Sequence, residues 1–292
     1  MTEVGPYRTY VEAIARLHRD GQALPLGGAT PLSASALAAD APQVLIFSPH
    51  PDDECIIGSL ALRLQREAGF RVVNVAVTQG SNPARREGRW DELAAACAYL
   101  GIELVATVPG GLERINARTR AEQPDHWRGC VDVIATILSQ HRPAVILCPH
   151  ETDWNSSHVG THFLVMDALA RQHPDFTCHV VETEFWGAMA TPNLMVECST
   201  TDLADLLTAL SCHVGEVQRN PYHLLVPAWM QDNVRRGGEV VGGQGGAAPD
   251  FVFASIYRLR QWRAGALPQA HEGGRTLPVT ARADSILAGP DA

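Results

Sequence analysis

The apolar and polar positions of the chain follow two patterns in turn. Short apolar runs, beginning with residues 44–47, are typical of buried parallel strands, and apolar groups spaced three and four residues apart predict helices. The predicted strands are 44–47, 72–78, 103–108, 144–148, 177–184 and 195–198, and the predicted helices are 7–19, 56–67, 89–100, 130–141, 159–171 and 202–213. This alternation predicts right-handed βαβ units. We therefore expect a single Rossmann-like α/β domain, with a mostly parallel sheet and helices on both faces.

The regions outside this alternation suggest three segments. Residues 1–42 contain the first helix, which we expect to pack on the outside of the main domain, and a connector rich in Pro, Gly, Ala and Ser. Residues 43–263 form the α/β domain, and residues 264–292 form a tail that we expect to be partly flexible. The glycine-rich stretch 237–246 predicts a surface loop, with a mobile flap over a substrate as the alternative.

Composition and charge then narrow the class of protein. The 292 residues include 32 Asp and Glu against 23 Lys and Arg, and the formal charge of −9 argues against nucleic acid or an anionic membrane as a partner. No stretch approaches the roughly 20 apolar residues that span a bilayer. The N-terminus lacks the features of a signal peptide. Seven widely spaced cysteines without a CxxC pair predict free thiols, so we expect a cytoplasmic protein.

The first group of candidate metal-binding and catalytic residues follows the strand 44–47. Residues 48–54 read SPHPDDE, and sites in open α/β sheets form beyond the carboxyl ends of the strands. A histidine and one carboxylate can bind a metal ion while a second carboxylate takes a proton from water. A helix-capping Asp would explain one acid of this turn, but it would not explain His50.

A second group follows the strand 144–148 and begins with the same Pro-His pair. Residues 149–162 read PHETDWNSSHVGTH, in which His158 and His162 share one face of the next helix. We expect both groups to meet at one edge of the sheet. His50, one Asp and one histidine of the second group would then supply the three protein ligands of a catalytic zinc site. His150 and His162 are also compatible with an ordinary core or surface position.

These residues resemble the LmbE-like / PIG-L family of metal-dependent N-acetylglucosaminyl de-N-acetylases. The family's first motif, a strand followed by (A/S)-H-P-D-D-E, matches residues 48–54 with one extra proline before the histidine. The family's D-x-H-x-D-H motif is similar to residues 153–158. Residues 78–101 and 209–213 look similar to its T-x-G…R-x-x-E…LG and A-L-x-x-H segments.

The resemblance implies a function and a set of site residues. His50, Asp53 and His158 would bind Zn²⁺, or another divalent metal, and Asp52 would be the general base. The reaction would remove the acetyl group from a small-molecule amino sugar of the N-acetylglucosamine type, or from its glycoconjugate. The candidates for contact with the substrate are Arg85, Arg89, Trp154 and His162.

Two positions depart from the family motif and affect the proton donor. Asn155 and Ser157 stand where the family has His and Asp. Asn155 can still donate a hydrogen bond to an oxyanion, but it cannot donate a proton at neutral pH. The donor is then Asp52, His162 or His213. We favour Asp52, because a base that has taken a proton is already placed to return it.

Three hypotheses about function follow. The first is a zinc-dependent N-deacetylase, and the second is a metal-dependent amidase that acts on a non-sugar N-acyl substrate. The third is a protein that keeps the fold and the metal but only binds its ligand, and the changes at Asn155 and Ser157 motivate it. Asp52 argues against the third hypothesis, because a pure binding protein has little need of a base beside the metal.

Overall fold

An eight-stranded sheet forms the centre of the computed structural model, which describes residues 5–33 and 37–288. The strands are β1 (Gln43–Ser48), β2 (Arg71–Ala76), β3 (Glu103–Ala106), β4 (Val145–Pro149), β5 (Cys178–Thr183), β6 (Leu194–Glu197), β7 (Ala254–Trp262) and β8 (Arg275–Leu277). Their order is β3-β2-β1-β4-β5-β7-β6-β8. Strands β1 to β5 are mutually parallel, and β7 is antiparallel to β5 and β6. The predicted mostly parallel sheet is confirmed.

Helices cover both faces of this sheet. They are α1 (Pro6–Gly21), α2 (Asp53–Ile56), α3 (Leu60–Ala68), α4 (Arg86–Leu100), α5 (Ala117–Glu122), α6 (Pro124–His141), α7 (Ser156–Leu169), α8 (Thr200–Leu210), α9 (Val214–Val217) and α10 (Tyr222–Val240). Alternate residues of β1 point to opposite faces. Val44 and Ile46 pack with α3, α4 and α8, whereas Leu45 and Phe47 pack with α6 and α7. Both faces of β1 are therefore apolar, which explains its continuous apolar sequence.

The chain reverses its direction across the sheet between β1 and β4. From β1 it builds β2 and β3 on one side, and it then returns to place β4 directly beside β1, with Val44 opposite Val145. Ligand sites of open α/β sheets form at such a switch point, beyond the carboxyl ends of the strands. The two sequence motifs leave β1 and β4 at this point.

Helix α10 and strand β7 were not predicted from the sequence. Helix α10 contains Pro227 and ends near Gly237 and Gly238, which are residue types that disfavour helix. Its apolar face is nevertheless buried, and a Cβ at Gly237 would lie 2.5 Å from the sulfur of Met195. The prediction of a loop over residues 237–246 is therefore wrong at its start, because the helix continues there. Its glycines allow the helix to pack closely on β6 and β7.

The two ends of the chain also differ from expectation. Helix α1 forms, but of its residues only Gly21 is buried, so the predicted packing of its apolar side is wrong. Its exposed apolar residues are Tyr7, Tyr10, Val11, Ile14 and Leu17. Residues 264–288 add β8 and bury Ile286, so regular structure continues beyond the boundary that we placed at residue 263. Residues 289–292 of the predicted tail lie outside the described residues.

A buried arginine fixes this C-terminal segment. Arg63 of α3 is 1% exposed, and its guanidinium donates to the carbonyl oxygens of Pro278 at 3.1 Å and Ala281 at 2.7 Å. Glu67 accepts a hydrogen bond from the Nε of Arg63 at 2.7 Å and from the backbone N–H of Ala283 at 2.8 Å.

Across the described ranges, no helix has the length and apolar character that crossing a bilayer requires.

Helix α7, which carries the second motif, depends on a close backbone contact at Gly160. A Cβ at Gly160 would lie 2.4 Å from the carbonyl oxygen of Ile115, whereas a Cβ at the exposed Gly129 of α6 would meet no atom within 4 Å. We expect Gly160→Ala to lower the free energy of unfolding by about 1–3 kcal/mol through overpacking. The control Gly129→Ala should raise it by up to about 1 kcal/mol. Urea denaturation measures both changes in the free energy of unfolding. Equal changes in the two variants would contradict the close contact between Gly160 and Ile115.

Candidate metal centre

The centre is built from the segments that follow β1 and β4. After β1, the chain turns so that the carboxylate of Asp53 accepts the backbone N–H of His50 at 2.8 Å. After β4, Asn155 caps α7 by accepting the N–H of Ser157 at 2.9 Å, and this places His158 in the first turn of the helix. Each segment is thus shaped by its own local hydrogen bonds.

The structure brings the three predicted ligands together. Asp53 Oδ2 lies 3.3 Å from His50 Nδ1 and 3.3 Å from His158 Nε2. The two imidazole rings have centroids 5.2 Å apart, and the three potential ligand atoms all lie within 4.8 Å of one another. This spacing suits a single ion with ligand distances of about 2 Å.

His158 provides an observation that favours a bound cation. Both ring nitrogens of His158 are buried and have no hydrogen-bond partner, and Nδ1 lies 3.6 Å from Asp153 Oδ1. An unsatisfied buried polar group is costly, and a metal ion at Nε2 would remove that cost. Burial would raise the pKa of Asp53, but His158 and His50 lower it overall, so the carboxyl is ready to ligate. Two imidazoles and a carboxylate suit zinc and other divalent metals.

Asp52 lies next to this cluster in an unusual environment. Burial raises the pKa of its carboxyl, the charge of Asp53 raises it further, and Arg89 opposes the rise. Arg89 Nη2 lies 3.8 Å from Asp52 Oδ2 and donates to the carbonyl oxygen of Pro51 at 2.8 Å. The arginine therefore faces both the carboxylate and the backbone of this turn.

A cavity of about 820 Å³ opens above the cluster. The predicted site residues on its wall are His50, Asp52, Asp53, Arg89, Asn155 and His158. Its volume lies in the usual range of ligand pockets, about 300–1,000 Å³. These six side chains could therefore contact one ligand together.

Four other predicted site residues do not line the cavity. Arg85 pairs with Glu216 at 3.4 Å, and Trp154 is 84% exposed at the surface. His162 contacts the carbonyl oxygen of Pro149 at 3.0 Å, on the side of α7 that faces the sheet. His213 lies behind the first turn. The structure thus places the three predicted substrate contacts among them, and the candidate proton donor His213, away from the cavity wall.

Arg219 and Tyr222 on the cavity wall were not predicted as site residues. Tyr222 forms an aromatic pair with Trp186, with ring centroids 5.3 Å apart, and Arg219 adds a guanidinium group to the wall beside that of Arg86. The segments that carry Arg219 and Tyr222 reach the cavity only through tertiary packing, so no local pattern in the sequence marks them.

Comparisons with known proteins identify relatives of this fold. Residues 45–169 match the family model described as PIG-L, GlcNAc-PI de-N-acetylase. No curated protein sequence matches the chain. N,N′-diacetylchitobiose deacetylase from Pyrococcus horikoshii is 17% identical, with 91% of this chain and 96% of that chain covered and a TM-score of 0.55.

Two further solved structures share the fold. The 4-carboxy-2-hydroxymuconate hydratase of Pseudomonas putida KT2440 is 17% identical, with 75% of this chain and 95% of that chain covered and a TM-score of 0.55. The zinc-inhibited form of teicoplanin deacetylase is 14% identical, with 76% of this chain and 98% of that chain covered and a TM-score of 0.52. At these identities the likeness shows the fold alone. The family match, however, contains both segments of the centre, so residues 45–169 of this chain are similar to the PIG-L family model where the candidate ligands lie.

Proposed function

We propose that the protein is a zinc-dependent hydrolase that removes the acetyl group from an N-acetylglucosamine-type amino sugar or glycoconjugate. The main support is the convergence of His50, Asp53 and His158 beside the Asp52 carboxylate on the wall of one cavity. The family match and the two deacetylase neighbours favour the same reaction. The hydratase neighbour means that the fold alone does not select it.

His50, Asp53 and His158 would hold the metal. Three protein ligands of this kind leave a further coordination position, which is typical of catalytic rather than structural zinc sites. When bound, the ion supplies Lewis acidity, which acidifies water and polarises an amide carbonyl. Asp153 and Asn155 support this arrangement, because Asp153 accepts the Asn155 N–H at 2.8 Å at the entrance to α7.

Asp52 would move the proton in the reaction. Its carboxylate lines the cavity beside the ligands, so it can accept a proton from the attacking water and return it to the departing amine nitrogen. The products are then acetate and the free amine. The side-chain amide of Asn155, also on the cavity wall, would donate a hydrogen bond to the carbonyl oxygen as negative charge develops there.

The remainder of the wall supports a sugar as the substrate. Trp186 and Tyr222 offer aromatic surface to the apolar face of a sugar ring, and Asn116 and Asn220 offer hydrogen bonds to its hydroxyl groups. Substrate sites commonly combine an apolar wall with a few polar groups in this way. A small N-acyl amine without a ring would leave most of this wall unused.

Substitution of Asp52 tests its proposed role. We expect Asp52→Asn to lower kcat by about 10²–10⁴-fold, the range for loss of a general acid–base group, while metal content stays unchanged. The exposed Asp91→Asn should keep wild-type activity and controls for the loss of one carboxylate. Acetate release is measured on a panel of N-acetyl amino sugars and non-sugar N-acyl amines.

Three outcomes of these measurements contradict the proposal in different ways. A wild-type rate in Asp52→Asn means that another group is the base. Turnover of the N-acyl amines alone means that the protein is an amidase that does not act on sugars. Tight binding of a sugar without acetate release from any compound favours a binding protein.

Two histidines on one face of α7 provide a matched test of the ligand set. We expect His158→Gln to weaken zinc binding by more than about 100-fold, because changes that only touch a ligand's support already cost about 10–100-fold. His162→Gln should bind zinc nearly as tightly as the wild type, because His162 contacts the Pro149 carbonyl rather than the cluster. Calorimetric titration of chelator-treated protein measures both. Similar losses of zinc affinity in the two variants would contradict the assignment of His158 as a metal ligand.

A further inference from the structure

Asp52 has a backbone conformation that L-amino acids rarely adopt. Its φ is 113° and its ψ is −27°, in the left-handed region. A residue other than glycine keeps such a conformation only where the surrounding structure holds it, and positions of this kind cluster at functional sites. The neighbouring residues Pro51 and Asp53 are fixed by Arg89 and His50 respectively. The peptide N–H of Asp52 needs a separate partner.

Glu54 supplies that partner from inside the protein. Its Oε2 accepts the backbone N–H of Asp52 at 3.0 Å, and its Oε1 lies 2.7 Å from Nε2 of His213. Since a carboxylate oxygen can only accept, His213 Nε2 carries the hydrogen of this bond. The thiol of Cys55 also donates to Oε1, at 3.2 Å. The buried carboxylate of Glu54 therefore connects the backbone N–H of Asp52 to the imidazole of His213, which lies 159 residues after Glu54 in the chain.

His213 is positioned to support Glu54 rather than to meet a ligand. It lies between α8 and α9, it is 1% exposed, and it does not line the cavity. Without the imidazole, Oε1 of Glu54 would lose its shortest hydrogen bond in a buried setting. The carboxylate would then turn toward other donors or water, and its bond to the Asp52 N–H would weaken.

We propose that His213 is a positioning residue that acts through Glu54 to hold Asp52 in its left-handed conformation and its carboxylate on the cavity wall. The effect on turnover rests on the proposed function, in which Asp52 transfers the proton. The effect on the backbone of Asp52 does not depend on that function, so the two can be tested separately.

Two substitutions that differ by one methylene group test the proposal. In His213→Gln, the amide nitrogen reaches the place of Nε2 and can still donate to Glu54, whereas in His213→Asn it is too short. His271→Asn is the control for loss of a buried imidazole, because His271 lies between β7 and β8 and outside the cavity. Glu54→Asp is a second disruptive variant, because the shorter carboxylate cannot reach both partners.

The first measurement is amide hydrogen exchange at Asp52, by NMR or in peptides that span residues 48–56, in protein whose thermal unfolding shows it to be folded. We expect exchange to be at least about 10-fold faster in His213→Asn and Glu54→Asp, because the Asp52 N–H loses its acceptor. His213→Gln and His271→Asn should exchange like the wild type. This measurement requires no substrate.

The second measurement is the separation of kcat from KM in acetate release. We expect kcat to fall on the order of 10–100-fold in His213→Asn with KM unchanged, since a misplacement of about 1 Å in a reacting group can cost about 100-fold. Rescue by His213→Gln distinguishes this role from a general loss of stability.

The outcomes separate the two proposals. Wild-type exchange at Asp52 in folded His213→Asn overturns the positioning role, and so does wild-type exchange in Glu54→Asp if His213→Asn does not fold. Faster exchange with unchanged kcat, while Asp52→Asn does lower kcat, overturns the claim that His213 holds the Asp52 carboxylate in place for the reaction. Faster exchange in a protein with no acetate release from any substrate supports the positioning role and counts against the proposed function.

Discussion

The carboxylate of Asp53 joins the two segments on which the whole site depends. It accepts the backbone N–H of His50 and lies 3.3 Å from the imidazole of His158, so the electron pairs of three donor atoms converge in a buried space. Such an arrangement is unfavourable unless a positive charge lies between the donors. The need for that charge is the constraint that makes this cluster a candidate metal site.

The sheet makes this convergence possible. Adjacent parallel strands end at the same edge, and β1 and β4 are adjacent only because the chain reverses its winding direction between β3 and β4. The turn after β1 provides Asp52 and Asp53, and the first turn of α7 provides His158. Gly160 then lets α7 approach the loop before α5, which contributes Asn116 to the cavity wall. The cavity wall is thus gathered from distant parts of the chain, around three candidate ligands that follow two adjacent strands.

The sequence was most informative where local chemistry decides structure. Strands β1 and β4 were predicted because strands buried on both faces must be apolar throughout. The meeting of the two motifs was predicted because both directly follow such strands, and the choice of His50, Asp53 and His158 came from the family resemblance. Strand β7 was missed because its Arg258 reaches the buried Glu182, so an ion pair between neighbouring strands stabilises a charged residue that the pattern alone disfavours.

The remaining differences have tertiary causes. Helix α10 forms despite Pro227 because its apolar face packs on β7, and Tyr222 at its start reaches the cavity for the same reason. His162 is one turn from His158, yet it faces the sheet, since the first turn of α7 alone reaches beyond the end of β4. His213 was one of three candidate proton donors, and the fold places it behind Glu54.

A crystal structure of the zinc-soaked protein, with anomalous diffraction collected on both sides of the zinc absorption edge, would show whether the cluster binds the metal. We expect one strong anomalous peak about 2.0–2.2 Å from one nitrogen of His50, one oxygen of Asp53 and Nε2 of His158. A peak elsewhere, or none at this cluster while zinc occupies other positions, would contradict that expectation.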